Sequence, residues 1–450
     1  MFHFVVDALS DNKNNAELLQ NTQAPEPRVR LGVLLALRKI ADPAGRAPME
    51  KWLSDPDAVV RRAAVQWVGE EHLKEFEPQL DAVTKTPMTR DLFLAYLASK
   101  SLLSGDKPDK GEYIESQMAQ IFPSDKHAAH FRALALKNLR VDHPGMSVPN
   151  LLPLLAHKDA ELRGEAIRAL ALHPSPAAQI ELRKLALDDA LSPDLRAMII
   201  AGLARSAAEP ETKTLLIDVL KTTKDPVLQR EAVRALRGAA ADKEVQAAVC
   251  NSVHGLKPED ELSGELADQA IMLLKLGGVA PANYPPGLYV LTPQRPLDEK
   301  QWFAVIANTN STDNASAGER IFYHVKGAGC FNCHAINGRG GKVGPDLTTI
   351  GKTIDKNHIL QSILDPAREV APQFVPWTFV MNDGRRLTGT IIEENDGFVI
   401  IGDSSAVVTK FKLLDVDYRA AQKGSIMPDN LVDLLTQQEL RDLLAYFQSL

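Results

Sequence analysis

The sequence predicts a mainly α protein: a solenoid of stacked helix pairs, then a smaller all-α domain carrying a small antiparallel β insertion. Three observations predict it. Apolar residues recur at i, i+4 and i+8 in sets led by Leu162, Leu195 and Leu228, evenly spaced at 33 residues. One Cys-x-x-Cys-His run, at Cys330, Cys333 and His334, stands between two amphipathic helical stretches. Between that run and the last helix, β-branched segments alternate with Asp-Gly turns. A chain of 450 residues has room for two or three domains, and 45% hydrophobic with 24% charged residues is an ordinary globular balance. A net charge of −7 gives no broad basic field for nucleic acid, and no apolar run is long enough to span a membrane.

At the start, Met1, Phe2, His3, Phe4, Val5 and Val6 form an apolar stretch too short for an export signal, without a basic lead or a cleavage pattern. The chain then reads as helix after helix from about Pro25 to Leu276. Further sets are Val29, Val33, Leu37 and Val60, Ala64, Val68. An arginine follows the leading apolar residue as Arg30, Arg61, Arg163 and Arg196, with Gln229 in that place once. Asp55-Pro56, Ser192-Pro193 and Asp225-Pro226 mark turns before helices. A period of this length built from helix pairs is an α-solenoid, and its Asp-Pro and Val-Arg pattern resembles HEAT repeats. Residues 87–139 fit the period poorly. The repeated arginines read as helix-packing or Asp-pairing residues, and Cys250 as a buried thiol on an apolar helical face. Such an array either binds a protein partner on its concave face or serves as a rigid spacer.

Pro281, Pro285, Pro286, Pro293 and Pro296 then predict an extended linker over residues 279–297, lying against the end of the solenoid. Residues 301–306 start a helix assigned to neither neighbour, and residues 311–316 form a polar junction.

The Cys-x-x-Cys-His run is the attachment pattern of a c-type haem: two thiols on one helical turn each add to a haem vinyl group, and the adjacent imidazole lies under the iron. A structural zinc site wants four ligands, and the remaining cysteine, Cys250, is far upstream in a helical segment. An iron–sulfur cluster needs more thiolates, and a thioredoxin-like pair expects a βαβ setting. Before the run, residues 317–325 form a short amphipathic helix whose Gly318 lets a second helix approach. That second helix is the last, with Thr436 and Glu439 as a capping box and Leu440, Leu443, Leu444 and Phe447 as its apolar stripe. After the run, Gly338, Arg339, Gly340 and Gly341 read as a loop wrapping the haem, and the carbonyl of Pro345 as acceptor for the second N–H of His334. Met427, in Ser425-Ile426-Met427-Pro428, is the candidate sixth iron ligand. His324, His358 and Met381 are the alternatives weighed, together with an open sixth position. Between residues 376 and 418, runs such as Leu387-Thr388-Gly389-Thr390-Ile391-Ile392 and Phe398-Val399-Ile400-Ile401 flank Asn382-Asp383-Gly384 and Asn395-Asp396-Gly397. These predict the antiparallel insertion, which either covers a haem edge, docks a partner or stabilises the fold.

In this order the helix with Gly318, Cys330-Phe331-Asn332-Cys333-His334, Gly344-Pro345-Asp346-Leu347, a late Met427-Pro428 and a terminal helix resemble a class I cytochrome c domain. More closely, they resemble the haem-binding domain of large planctomycete and verrucomicrobial proteins, where helical repeats precede a single-haem cytochrome and an upstream dehydrogenase-like propeller is common. The resemblance is strong over residues 315–450 and loose before them. It implies a HEAT-like solenoid over residues 1–278, a linker over 279–314 and a monohaem cytochrome c domain over 315–450. The expected cofactor is one covalent haem c, held by Cys330 and Cys333 with His334 and Met427 axial. The expected role is an electron carrier between a redox donor, such as a dehydrogenase domain or partner, and an acceptor protein, with no catalytic residue in this chain. Because c-type haem is attached outside the cytoplasm, the expected location is periplasmic or otherwise extracytoplasmic, and this chain is expected to be the C-terminal part of a longer precursor or to have a misplaced start. Two rivals are a haem enzyme or sensor with an open sixth site, and a repeat scaffold in which the haem is secondary.

Overall fold

The computed structural model describes residues 2–11, 15–105, 111–258, 263–292, 294–307 and 313–450. Met1, Pro293 of the proline-rich stretch, and Ser311 and Thr312 of the polar junction lie outside them. Most of the chain is helical, in a repeat-like succession, and one small antiparallel sheet comes late. Two compact units divide it: Met1–Leu139 with His143–Ala166, and Arg140–Asp142 with Ile167–Leu450. The boundaries expected at residues 278 and 314 follow sequence pattern, whereas these units follow contact, so the two divisions differ.

In the first unit, the stripe formed by Val60, Ala64 and Val68 is fully buried. Val29, on the first turn of the helix Pro27–Ile40, is 44% exposed, so that stripe begins at Val33. Trp52 and Trp67 stack at 6.0 Å, and Phe93 meets Phe131 edge-on at 5.1 Å, which carries the core into the region where the repeat pattern is weak.

Three of the repeated arginines share a task, while Arg196 pairs with Asp189 at 2.8 Å instead. Arg30 Nη1 donates to the Ala24 carbonyl at 2.7 Å, Arg61 Nη1 to the Asp55 carbonyl at 2.5 Å and Arg163 Nη1 to the His157 carbonyl at 2.7 Å. Each acceptor lies six residues earlier, in the turn before the helix. Such turns leave carbonyls without helical partners, and a guanidinium fork can reach several at once. In the second unit Gln229 does the same with its amide, donating to the Thr223 carbonyl at 3.0 Å.

The second unit continues the helix pairs through Pro193–Gly202, Pro210–Thr222, Pro226–Leu236, Lys243–Val253 and Ser263–Leu276. Proline opens the first three, where its missing N–H costs nothing, and Ser192 and Asp225 cap two of them. Leu228, Ala232 and Leu236 are buried as the period predicts. Cys250 is half-buried. The proline-rich stretch is not extended throughout: Pro281–Asn283 forms a single turn and Leu288–Leu291 a short helix that packs on Ser263–Leu276 through the buried Leu288. The helix Glu299–Ala307, assigned to neither neighbour from sequence, belongs to the C-terminal core, because Trp302 and Ile306 join Phe322, Leu360, Leu444 and Phe447.

That core is built on the helices Ala315–Phe322 and Gln437–Gln448. Gly318 sets their approach: a Cβ there would overlap the Asp442 carbonyl oxygen. Thr436 and Glu439 form the predicted capping box, with Thr436 Oγ1 accepting from Glu439 N at 3.1 Å and Glu439 Oε2 accepting from Thr436 N at 2.9 Å. Between these helices come a two-stranded hairpin, β1 (Ala335–Ile336) and β2 (Arg339–Gly340), and a five-stranded sheet. Its strands are β3 (Pro376–Met381), β4 (Arg386–Glu394), β5 (Phe398–Gly402), β6 (Val408–Lys412) and β7 (Val416–Ala421), ordered β6-β5-β4-β3-β7 and antiparallel throughout. The Asn-Asp-Gly runs make the predicted turns, and the sheet has its own core of Phe379, Met381, Val399 and Ile401.

Candidate functional site

Gly329, in the left-handed conformation at φ 66°, starts the single helical turn Cys330–Cys333. His334 N donates to the Cys330 carbonyl at 2.9 Å and closes the turn, and both cysteines are free. Burial pushes the Cys330 thiol up to about 12; burial, with Asp403 nearby, also raises Cys333. Neither thiol is poised as a thiolate, unlike the attacking cysteine of a redox Cys-x-x-Cys pair.

The chain after His334 folds back along the turn. Gly341 N donates to the Phe331 carbonyl, Gly344 N to the Cys333 carbonyl and Leu347 N to the Ala335 carbonyl, each at 2.8 Å. This return is made by Asn337 and Gly338, both at positive φ, between β1 and β2. Asn-Gly is a strong sequence signal for such a two-residue hairpin. The returning strand brings Pro345 under the histidine: its carbonyl lies 2.9 Å from His334 Nδ1. With Nδ1 so engaged, Nε2 is the nitrogen left for a metal. Gly344 lies against the ring, and a Cβ there would come within 2.6 Å of Cε1. Burial holds the imidazole below its ordinary pKa, partly offset by the Pro345 carbonyl, so it is neutral near pH 7 as a metal ligand must be.

Met427 is half-buried at the edge of the apolar cluster that Cys330, Phe331, Leu347 and Ile350 also border. The alternatives lie in other settings. Met381 is buried in the sheet core. His358 is half-buried, with Nε2 3.4 Å from Glu369. His324 is buried just after the helix Ala315–Phe322, its Nδ1 accepting from Lys326 N at 3.1 Å. Among the described residues no group of three or more His, Cys, Asp or Glu is placed to hold a metal ion, so no tetrahedral set surrounds Cys330 and Cys333. The residues present fit a haem: two thiols on one turn, an oriented neutral imidazole against a glycine, and an apolar border with a methionine.

The β insertion reaches this region. Val343, in the returning loop, packs on Gly402 at the end of β5, where a Cβ would overlap its side chain, and Asp403 acts on Cys333. Sequence reasoning also missed a buried ionic network. Glu439 accepts from Arg234 at 2.6 Å, Arg237 at 3.2 Å and Gln269 at 2.9 Å, while Glu231 accepts from Arg234 and Arg320, each at 2.7 Å. Burial raises the carboxyl pKa of Glu439, but Arg237 and Arg234 outweigh it and hold the group below the usual carboxylate range. The capping residue of the terminal helix is thus also the counterion of a repeat helix.

Residues 148–237 match the family model for HEAT repeats. The arginine or glutamine that donates six residues back falls inside that match as Arg163 and Gln229. No curated protein matches the chain. No helix among the described residues is long and apolar enough to cross a membrane. HEAT repeats generally mediate protein interaction.

Proposed function

We propose that this chain is a c-type monohaem electron-transfer protein in which a HEAT-like array over residues 1–278 precedes a class I cytochrome c-like domain over residues 315–450. The observation that carries the reading is His334 with Nδ1 held by the Pro345 carbonyl and its ring against Gly344, next to Cys330 and Cys333 on one turn. Haem bound there supplies a one-electron ferrous/ferric couple. Cys330 and Cys333 would hold the haem through its vinyl groups, each thiol contributing its sulfur to one vinyl carbon and its proton to the other, so no oxidant would be needed. The Pro345 carbonyl orients the His334 ring and leaves Nε2 to hold the iron, and Met427 would offer it a thioether, a donor that would raise the potential and favour electron transfer over ligand binding. The apolar border of Phe331, Leu347 and Ile350 limits water. Electrons pass from a dehydrogenase domain or partner to an acceptor protein, with the HEAT repeats offering the surface for a partner, in an extracytoplasmic compartment.

The test is the optical spectrum of the full chain matured with a c-type haem system and an added export signal, for wild type, Met427→Ala and the Cys330→Ala/Cys333→Ala pair. Covalent, low-spin haem with a methionine–iron charge-transfer band that disappears in Met427→Ala supports the carrier. A high-spin spectrum indifferent to that substitution moves the reading to an enzyme or sensor with an open sixth site. Absence of covalent haem in the wild type ends it.

A further inference from the structure

Behind the Cys330–Cys333 turn, within the second compact unit, lies a cavity of about 510 Å³, inside the range of roughly 300–1,000 Å³ common to small-molecule sites. Phe331 and Asn332, the two residues between the cysteines, line it; neither cysteine does. Its apolar wall comes from Ala171, Leu172 and Met198 of the repeats and from Ile392, Ile400 and Val408 of the sheet.

Its charges are unbalanced. Arg140, Arg205, Arg320, Arg339 and Lys342 line the cavity against a single acid, Asp142, which pairs with Arg140 at 3.6 Å. Arg205 has no carboxylate within ion-pair distance among the described residues, and burial lowers its pKa with no acid acting against that. Two deeper groups add unsatisfied donors. Arg320, 2% exposed, spends Nε on Glu231 at 2.7 Å and leaves Nη2 without a hydrogen-bond partner. His324, 3% exposed, accepts a backbone N–H at Nδ1, which puts its proton on an Nε2 that also has no partner. Cationic groups beside low-dielectric walls concentrate anions, and buried donors left unpaired are costly until an acceptor meets them.

We propose that this cavity binds an amphiphilic organic anion, a carboxylate on an apolar body, with Arg205 and Lys342 holding the head and the Met198, Ile392 and Ile400 wall taking the body. The ligand rests on the outer side of the turn that bears Cys330 and Cys333. The site does not depend on the haem reading, because none of Cys330, Cys333, His334 or Met427 lines it.

The experiment is calorimetric titration of the full chain, matured with and without haem, using octanoate, 1-octanol and inorganic phosphate as probes. Arg205→Gln and Val408→Trp are the variants; Arg205 is exposed to the cavity and Val408 is 58% exposed, so both keep the core intact. Saturable octanoate binding is expected in both forms, weakened about tenfold or more by Arg205→Gln and by Val408→Trp, with octanol and phosphate about tenfold weaker than octanoate. Octanoate that fails to saturate, or that binds both folded variants as it binds wild type, overturns the proposal. Phosphate binding as tightly as octanoate overturns the amphiphile.

Discussion

Arginines in the two compact units solve different problems with the same side chain. In the first unit Arg30, Arg61 and Arg163 satisfy carbonyls of the turn just before their own helix, and Arg30 and Arg61 also reach the next turn, Arg30 to Asp55 at 2.7 Å and Arg61 to the Pro87 carbonyl at 2.6 Å. In the second unit Arg234 and Arg237 turn to Glu439, about two hundred residues later in the chain, and Arg320 turns back to Glu231. The difference teaches where docking is specified. The first-unit arginines join one turn to the next, whereas Arg237, and in part Arg234, find their carboxylate only when the terminal helix is in place. A buried ion pair seldom adds net stability over apolar packing, but losing one partner strands the other, which selects a single arrangement.

The largest effect expected from breaking this contrast is at Glu439. Glu439→Ala strands the charge of Arg237, leaves Arg234 with Glu231 alone and removes the capping box, costing about 3–5 kcal/mol. Urea unfolding followed at Trp302 should show the loss, while the signal of Trp52 and Trp67 in the first unit stays put; equal shifts in both would remove the distinction drawn here. Asp55→Asn is the matching change in the first unit. Asp55 accepts from Arg30 Nε and Nη2 at 2.7 and 2.8 Å, but Arg30 keeps its bond to the Ala24 carbonyl, so the expected cost is smaller, about 1.5–3 kcal/mol, read at Trp52 and Trp67.

A third test uses pH. Burial first, then Arg237 and Arg234, pull His324 down to about 3, against the weaker opposite pull of Glu439 and Glu231. With its folded pKa below the unfolded value of about 6.5, only the unfolded state gains a proton between those limits, so this residue's share of stability rises with pH and is lost on acidification. Asp442, raised to about 6 by burial, and Glu265, raised to about 7, act in the opposite sense, so the difference between variants is the informative quantity. His324→Asn keeps the acceptor for Lys326 N and should lower the slope of stability against pH near pH 5 by about 1.4 kcal/mol per unit. An unchanged slope would mean that His324 titrates normally in the fold. The smallest effect is expected from Gln229→Arg, within about 0.5 kcal/mol, because the amide already makes the repeat bond to Thr223. A larger gain would show that the guanidinium contributes beyond that bond.

Much of the site's local chemistry could be read in advance. The Pro345 carbonyl meets His334, Gly318 admits the terminal helix, Thr436 and Glu439 cap it, and Asn-Asp-Gly runs turn the sheet. The helix at Trp302 was harder, because residues 301–306 carry no sign of which core they join. The proline-rich stretch misled in another way: proline at a first helical position starts a turn as readily as it prevents one.

By itself the sequence determined what depends on near neighbours: the helical period and its buried stripe, the capping box, the hairpin turns, and the cysteine spacing that puts two thiols on one turn beside an imidazole. Only the tertiary structure decided which distant groups meet. Glu439 facing Arg234 and Arg237, Val343 against Gly402, and an excess of positive charge around the cavity behind Phe331 and Asn332 all join segments far apart in the chain. Backbone geometry writes local pairings into residue order at fixed intervals, whereas burial and charge pairing between distant segments leave no interval to read.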